Sequence, residues 1–325
     1  MLQSVNILLL CIGIAMLTFG GEALIRGSLS AARRLGVSPL LSGLVIVGFG
    51  TSAPELVVSI NAALAGNPDM AVGNVVGSNI GNILLILGVC GLITPLVVKP
   101  LVLRRDAVTM VVASALFLLL VFLSGGTIER IGGVFLLLCL CLYLSWAYWS
   151  ERYYEAPSAA LHLAEEQELQ VSEKSTLWII TALSLGLMFL ISGSQVLLTG
   201  AIGIAEYFDV PEAVISLTLV SVGTSLPEFS ISVIAALRRH ADVAVGNILG
   251  SNIFNLLGIL GISAVLQPLP INVRILQFDQ WVMLVSALLL FIFLFTKRQL
   301  SRAEAILLLI GYGLYLSFSF TAFSG

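Results

Sequence analysis

The chain has 325 residues, of which 58% are hydrophobic and only 10% charged, and its mean hydropathy is +1.07. A soluble domain carries about 45–50% apolar and about 25% charged residues, and no core of this size hides such an excess, so lipid must solvate much of the surface. The net charge of −3 gives no support to a nucleic-acid partner.

At about 20 apolar residues per span, hydropathy places helices near 4–25, 38–65, 71–97, 106–124, 128–149, 176–204, 212–237, 243–267, 279–296 and 303–323. The first basic residue is Arg26, so the opening segment lacks the positive start of a secretory signal and is expected to stay as a transmembrane helix. The expected fold class is an all-α integral membrane protein of ten transmembrane helices. With the amino terminus outside, 13 of the 15 Lys and Arg residues fall in cytoplasmic connections and only Arg130 and Arg274 lie outside. The positive-inside rule then puts both termini in the periplasm of a bacterial cell, the chain sitting in the inner membrane. Cys11, Cys90, Cys139 and Cys141 all fall in apolar runs and read as small buried hydrophobes.

Within spans two and three lies a stretch that recurs later. Residues 50–88 align without a gap on 223–261, at an offset of 173 that also pairs Gly20 with Gly193, Pro95 with Pro268 and Asp106 with Asp279. Each half is therefore the same five-helix unit, 1–150 and 176–325, joined by an acidic, solvated linker at 151–175. Five is odd, so the second copy enters from the opposite side, giving inverted-topology repeats, an architecture of transporters.

The repeated Gly50-Thr51-Ser52-Ala53-Pro54-Glu55 and Gly223-Thr224-Ser225-Leu226-Pro227-Glu228 sit near the middle of their spans. An ionised carboxylate at that depth costs about 2.5–3.5 kcal/mol on insertion scales, which makes the two glutamates functional candidates. Pro54 and Pro227 lack an N–H and clash with the carbonyl four residues back, so both helices should open there and free carbonyl oxygens. Spacings of three and four residues put Thr51, Ser52, Glu55 and Ser59 on one side, as they do Thr224, Ser225, Glu228 and Ser232. An all-oxygen set without Cys or His suits Ca²⁺ and Na⁺ and argues against zinc or copper.

In the next span of each half, Ser78 and Asn82, and Ser251 and Asn255, add hydroxyl and amide oxygens facing those carboxylates. Asn79 and Asn252 read equally as ligands or as interhelical hydrogen-bonding groups. Gly73 with Gly77, and Gly246 with Gly250, form small faces that permit close helix approach. Asp69, Asp106, Asp242 and Asp279 fall at helix starts and read as caps.

At these motifs the chain resembles the calcium/cation antiporter superfamily, specifically the sodium/calcium exchanger family in a compact bacterial form, over essentially its whole length. The resemblance implies that Glu55 and Glu228 are shared ligands, that Thr51 and Thr224 donate carbonyls, and that Ser52, Ser225, Ser78 and Ser251 are mainly sodium ligands. Some sodium-driven relatives carry Asp where this chain has Asn255, matching Asn82, so the site here holds two formal negative charges. The implied function is exchange of Ca²⁺ for Na⁺ by alternating access, with the lipid bilayer and the two ions as partners. No cofactor is implied, and no obligate protein partner is evident. Two rivals keep the architecture: a Ca²⁺/H⁺ antiporter and a cation channel. An enzyme lacks its residues, since His162 and His240 lie in loops.

Overall fold

The computed structural model describes residues 2–37, 39–98, 100, 103–154, 174–208 and 223–323. Among them the long helices are α1 (Leu2–Leu35), α2 (Gly43–Thr51), α3 (Ala53–Leu64), α4 (Pro68–Ile93), α5 (Arg104–Leu123), α6 (Arg130–Tyr154), α7 (Thr176–Tyr207), α8 (Leu226–Leu237), α9 (Ala241–Leu266), α10 (Ile275–Lys297) and α11 (Arg302–Phe323). Seven described helices are long and apolar enough to cross a membrane, and an eighth span results if α2 and α3 count as one bent helix. The protein is a mostly helical integral membrane protein. The expected span at 212–237 is represented by α8 alone, because 209–222 lie outside the described residues, as do 155–173 of the expected linker.

The longest helices, α1 and α7, pack along their whole length and run antiparallel. Small residues let the backbones touch: a Cβ on Gly20 would sit 2.9 Å from the Gly186 carbonyl oxygen, and one on Gly200 2.8 Å from that of Asn6. Behind this pair, α2 lies against α9, α3 against α4, and α8 against α9. Further out, α6 covers α9 and α11 covers α4, while α5 and α10 pack on each other. Short antiparallel ladders tie the ends together, β1 (Leu96–Val97) to β4 (Gln299–Leu300) and β2 (Thr127–Ile128) to β3 (Leu269–Pro270). Each ladder joins a strand before residue 150 to one after residue 260.

Widened π turns interrupt the helices at Gly43–Gly48, Asn82–Leu87, Leu103–Ala107, Phe254–Ile259 and Ile275–Asp279. Such turns re-aim side chains and recur at functional sites. They also explain why Asp106 and Asp279 are not caps, as their sequence positions suggested. Both sit inside π turns and turn inward: Asp106 takes an ion pair from buried Arg105 at 2.6 Å and a hydrogen bond from Tyr143 at 2.8 Å, and Asp279 meets Arg274 and Tyr315 at 3.1 Å each. Asp69 and Asp242 do stand in the first turns of α4 and α9, and Asp69 also accepts a hydrogen bond from Asn272 at 3.0 Å. The cysteine expectation holds for Cys90 alone; Cys139 is half-buried, and Cys11 and Cys141 are exposed on faces where lipid is the solvent.

Candidate ion-binding site

The helix break falls where Pro54 predicts it. Ser52 leaves the helix with φ −80° and ψ 8°, and α2 and α3 meet at a bend of 47°. Ser225 has nearly the same dihedrals, φ −87° and ψ 8°, at the start of α8. Each proline lies at the first positions of the new helix, where its missing N–H costs nothing. Glu55 and Glu228 therefore stand in a helical first turn, where the macrodipole favours negative charge.

The two carboxylates meet through exchanged serines. Ser52 Oγ donates to Glu228 Oε1 at 2.9 Å, and Ser225 Oγ donates to Glu55 Oε1 at 3.2 Å. Each glutamate is thus tied to the break in the other half, and both are 1% exposed. Ser78 joins the same cluster, its Oγ 3.3 Å from that of Ser225. Thr51 and Ser251 converge on the Gly48 carbonyl, at 3.3 and 3.0 Å, and Thr51 Oγ1 also lies 3.2 Å from Asn247 Oδ1. Asn82 Nδ2 donates to Asn252 Oδ1 at 2.9 Å, and Asn255 Nδ2 to Asn79 Oδ1 at 3.0 Å. Thr224 shares a cavity of about 380 Å³ with Ser225, Ser78 and Asn74.

Ser59 and Ser232 do not join this cluster as their spacing suggested. They accept from Asn74 and Asn247, whose amides also bond the Glu55 and Glu228 carbonyls at 3.3 and 3.2 Å. These asparagines clamp each glutamate's backbone to the neighbouring helix. For Asn247 the sequence signal was its alignment with Asn74.

Several oxygens at this centre have no hydrogen-bond donor although fully buried: Glu55 Oε2, Glu228 Oε2, Asn82 Oδ1, Asn255 Oδ1 and Thr224 Oγ1. Buried acceptors left bare are costly. Among the described residues neither glutamate forms an ion pair, and no three His, Cys, Asp or Glu side chains gather elsewhere to hold a metal. The donor set, carboxylate and neutral oxygen only, fits a hard cation.

The sequence profile of the sodium/calcium exchanger protein family matches residues 5–149 and 178–321. The sodium/calcium exchanger MaX1 of Methanosarcina acetivorans is 31% identical over 347 residues, covering 96% of this chain and 98% of its own. The inner membrane protein YrbG of Escherichia coli strain K12 is 32% identical over 311 residues, covering 95% of each. Among solved structures, the sodium-calcium exchanger NCX_Mj, soaked with 2.5 mM Na⁺ and 0.1 mM Ca²⁺, superposes with a TM-score of 0.81 at 27% identity, over 96% of this chain and 97% of that one. The chain belongs to the sodium/calcium exchanger family, and it is a membrane antiporter and not an enzyme.

Proposed function

We propose that this protein exchanges Ca²⁺ for Na⁺ across the bacterial inner membrane by alternating access, both ions competing for one site built on Glu55 and Glu228. The observation that carries the reading is the set of donorless buried oxygens on Glu55, Glu228, Asn82 and Asn255, the kind of oxygen ligands a hard cation takes. Thr51, Ser52, Ser78, Thr224, Ser225 and Ser251 supply the surrounding neutral oxygens. In this reading the chain spans the membrane ten times, as five-helix repeats 1–150 and 176–325 of opposite orientation joined by a cytoplasmic linker, with both termini periplasmic. The antiparallel α1 and α7 and the exchanged serine–glutamate bonds support that symmetry. The choice of Ca²⁺ and Na⁺ is supported by the names of MaX1 and NCX_Mj, both called sodium/calcium exchangers.

The mechanism follows from charge. Two bare carboxylates in the membrane interior are unfavourable. One Ca²⁺, or Na⁺ ions, neutralises them, so a loaded site can reorient between faces and an empty one cannot. Each ion must then be replaced before the protein returns. The pair α1 and α7, held closely together by their facing glycines, is in this reading the unit that slides against the site-bearing helices.

The test is ⁴⁵Ca²⁺ flux in proteoliposomes. An opposing Na⁺ gradient should drive Ca²⁺ uptake at constant pH. Uptake that follows a pH gradient and ignores Na⁺ would replace the coupling ion with H⁺, and flux indifferent to both would make the protein a channel.

A further inference from the structure

Four asparagines at the centre bond one another in a crossed pattern. Asn79 Nδ2 donates to the Asn252 carbonyl at 3.2 Å and faces Met283 Sδ at 3.9 Å. Asn252 Nδ2 donates to the Asn79 carbonyl at 3.4 Å and faces Met110 Sδ at 3.6 Å. The nitrogen of each amide is thereby surrounded by acceptors. Rotating either amide by half a turn would set its oxygen against a carbonyl and a thioether, neither of which donates. Asn79 Oδ1 and Asn252 Oδ1 are held outward as a result, and each takes the Nδ2 of the asparagine one turn further on in the other half: Asn255 on Asn79, Asn82 on Asn252.

This fixes which atom Asn82 and Asn255 leave over. With Nδ2 engaged, the free atom of each is Oδ1, buried and without a donor. Asn82 lies four residues after Ser78, so it shares the helix face that meets the carboxylates. Orientation matters here because the position is an amide in both halves. A carboxylate offers an oxygen whichever way it turns; an amide turned over presents N–H groups to the cation, and attraction becomes repulsion.

We propose that Asn79 and Asn252 are positioning residues, each locking the amide of the other half's Asn255 or Asn82 so that oxygen faces the transported cation. The proposal rests on the ion-site reading above and assigns a role to two residues that do not themselves touch the ion.

The test is equilibrium ⁴⁵Ca²⁺ binding to the purified full chain, with melting temperature measured in the absence of Ca²⁺. Asn79→Ala and Asn252→Ala should each weaken Ca²⁺ binding by about 10–100-fold, the range for residues that orient a metal ligand. The distinguishing result is a crossed rescue. In an Asn255→Asp background, Asn79→Ala should have no further effect on affinity; in an Asn82→Asp background it should keep its full effect. For Asn252→Ala the pattern should reverse, with silence over Asn82→Asp and a full loss over Asn255→Asp. A merely structural role predicts the same loss in both backgrounds, and that result would overturn the proposal, as would wild-type affinity in both alanine variants. If an alanine variant does not reconstitute, Asn79→Ser and Asn252→Ser, whose hydroxyls can still donate, carry the same crossed expectation. Glu55→Gln and Glu228→Gln in the same assay separate the two levels. Retained binding there would sink the ion site itself, whereas lost binding there with no crossed rescue would sink only the positioning role.

Discussion

The two copies of the repeated motif are nearly identical in sequence and differ in packing. In the first copy, Gly73, Asn74, Gly77 and Gly81 of α4 are partly exposed, and with Ser78, Thr224 and Ser225 they line a cavity that runs out to the exposed Met70. In the second, the matching Asn247, Gly250 and Ser251 of α9 are sealed, as are Thr51 and Ser52. The seal has two parts. The π turn Gly43–Gly48 lies directly on α9, so close that a Cβ on Gly250 would collide with the Leu44 carbonyl. Where the first copy has Gly81, the second has Phe254, stacked on Phe49 with ring centroids 4.4 Å apart. The same sequence pattern thus supports an open and a closed packing, which is what a carrier that opens to one side at a time requires. In the proposed orientation the open side is the periplasmic one.

The feature the halves share equally is the carboxylate, so the largest effects should be symmetric. Glu55→Gln and Glu228→Gln should each reduce Ca²⁺ transport at least about 100-fold, because each removes one of two charges opposing the ion. The amide keeps the size of the side chain, so melting temperature should stay within a few degrees. Unequal losses in ⁴⁵Ca²⁺ flux would show that the halves do not contribute alike.

The seal should fail if its aromatic plug is removed. Phe254→Gly makes the second copy resemble the first and loses a half-buried ring, a destabilisation of roughly 2–3 kcal/mol. On a background without the four native cysteines, Ser251→Cys should be inert to a charged thiol reagent and become reactive when combined with Phe254→Gly. Ser78→Cys should react from one face without that change. Labelling of Ser251→Cys with Phe254 in place would break the comparison.

A smaller contrast tests the backbone contact. Gly250→Ala should lower stability by about 1–3 kcal/mol, since backbone must shift to admit the methyl group. Gly77→Ala meets nothing within 4 Å among the described residues, and should be neutral or slightly stabilising through helix propensity. Equal melting temperatures for the two variants would contradict the asymmetry. The smallest effect belongs to the exposed ion pair between Glu22 on α1 and Arg238 after α8, at 3.2 Å. Arg238→Ala should cost less than about 1 kcal/mol, and less still at high salt.

Much of this was legible in the sequence, for identifiable reasons. Pro54 and Pro227 break helices by covalent geometry, so the non-helical residues Ser52 and Ser225 fall within the segments 50–54 and 223–227, where the sequence expects the helices to open. The apolar runs fixed most of the helices, because the bilayer leaves few alternatives. What the repeat could not say is which copy pairs with which: the bonds Ser52 to Glu228 and Ser225 to Glu55 cross between halves, and sequence identity is blind to that exchange. Nor could it tell the open copy from the sealed one, since that depends on where Gly43–Gly48 packs. Asp106 and Asp279 misled because π turns rotate them from the cap position into ion pairs, fully buried with Arg105 and partly exposed with Arg274. Ser59 and Ser232 share the spacing of ligands, but a helix face three residues wide also meets its neighbour, and Asn74 and Asn247 claim them.

The most direct measurement is equilibrium ⁴⁵Ca²⁺ binding to the purified protein with Na⁺ as competitor. The account predicts saturable Ca²⁺ binding that Na⁺ displaces and that neither Glu55→Gln nor Glu228→Gln retains. Ca²⁺ bound as tightly by both variants as by the wild type would contradict it.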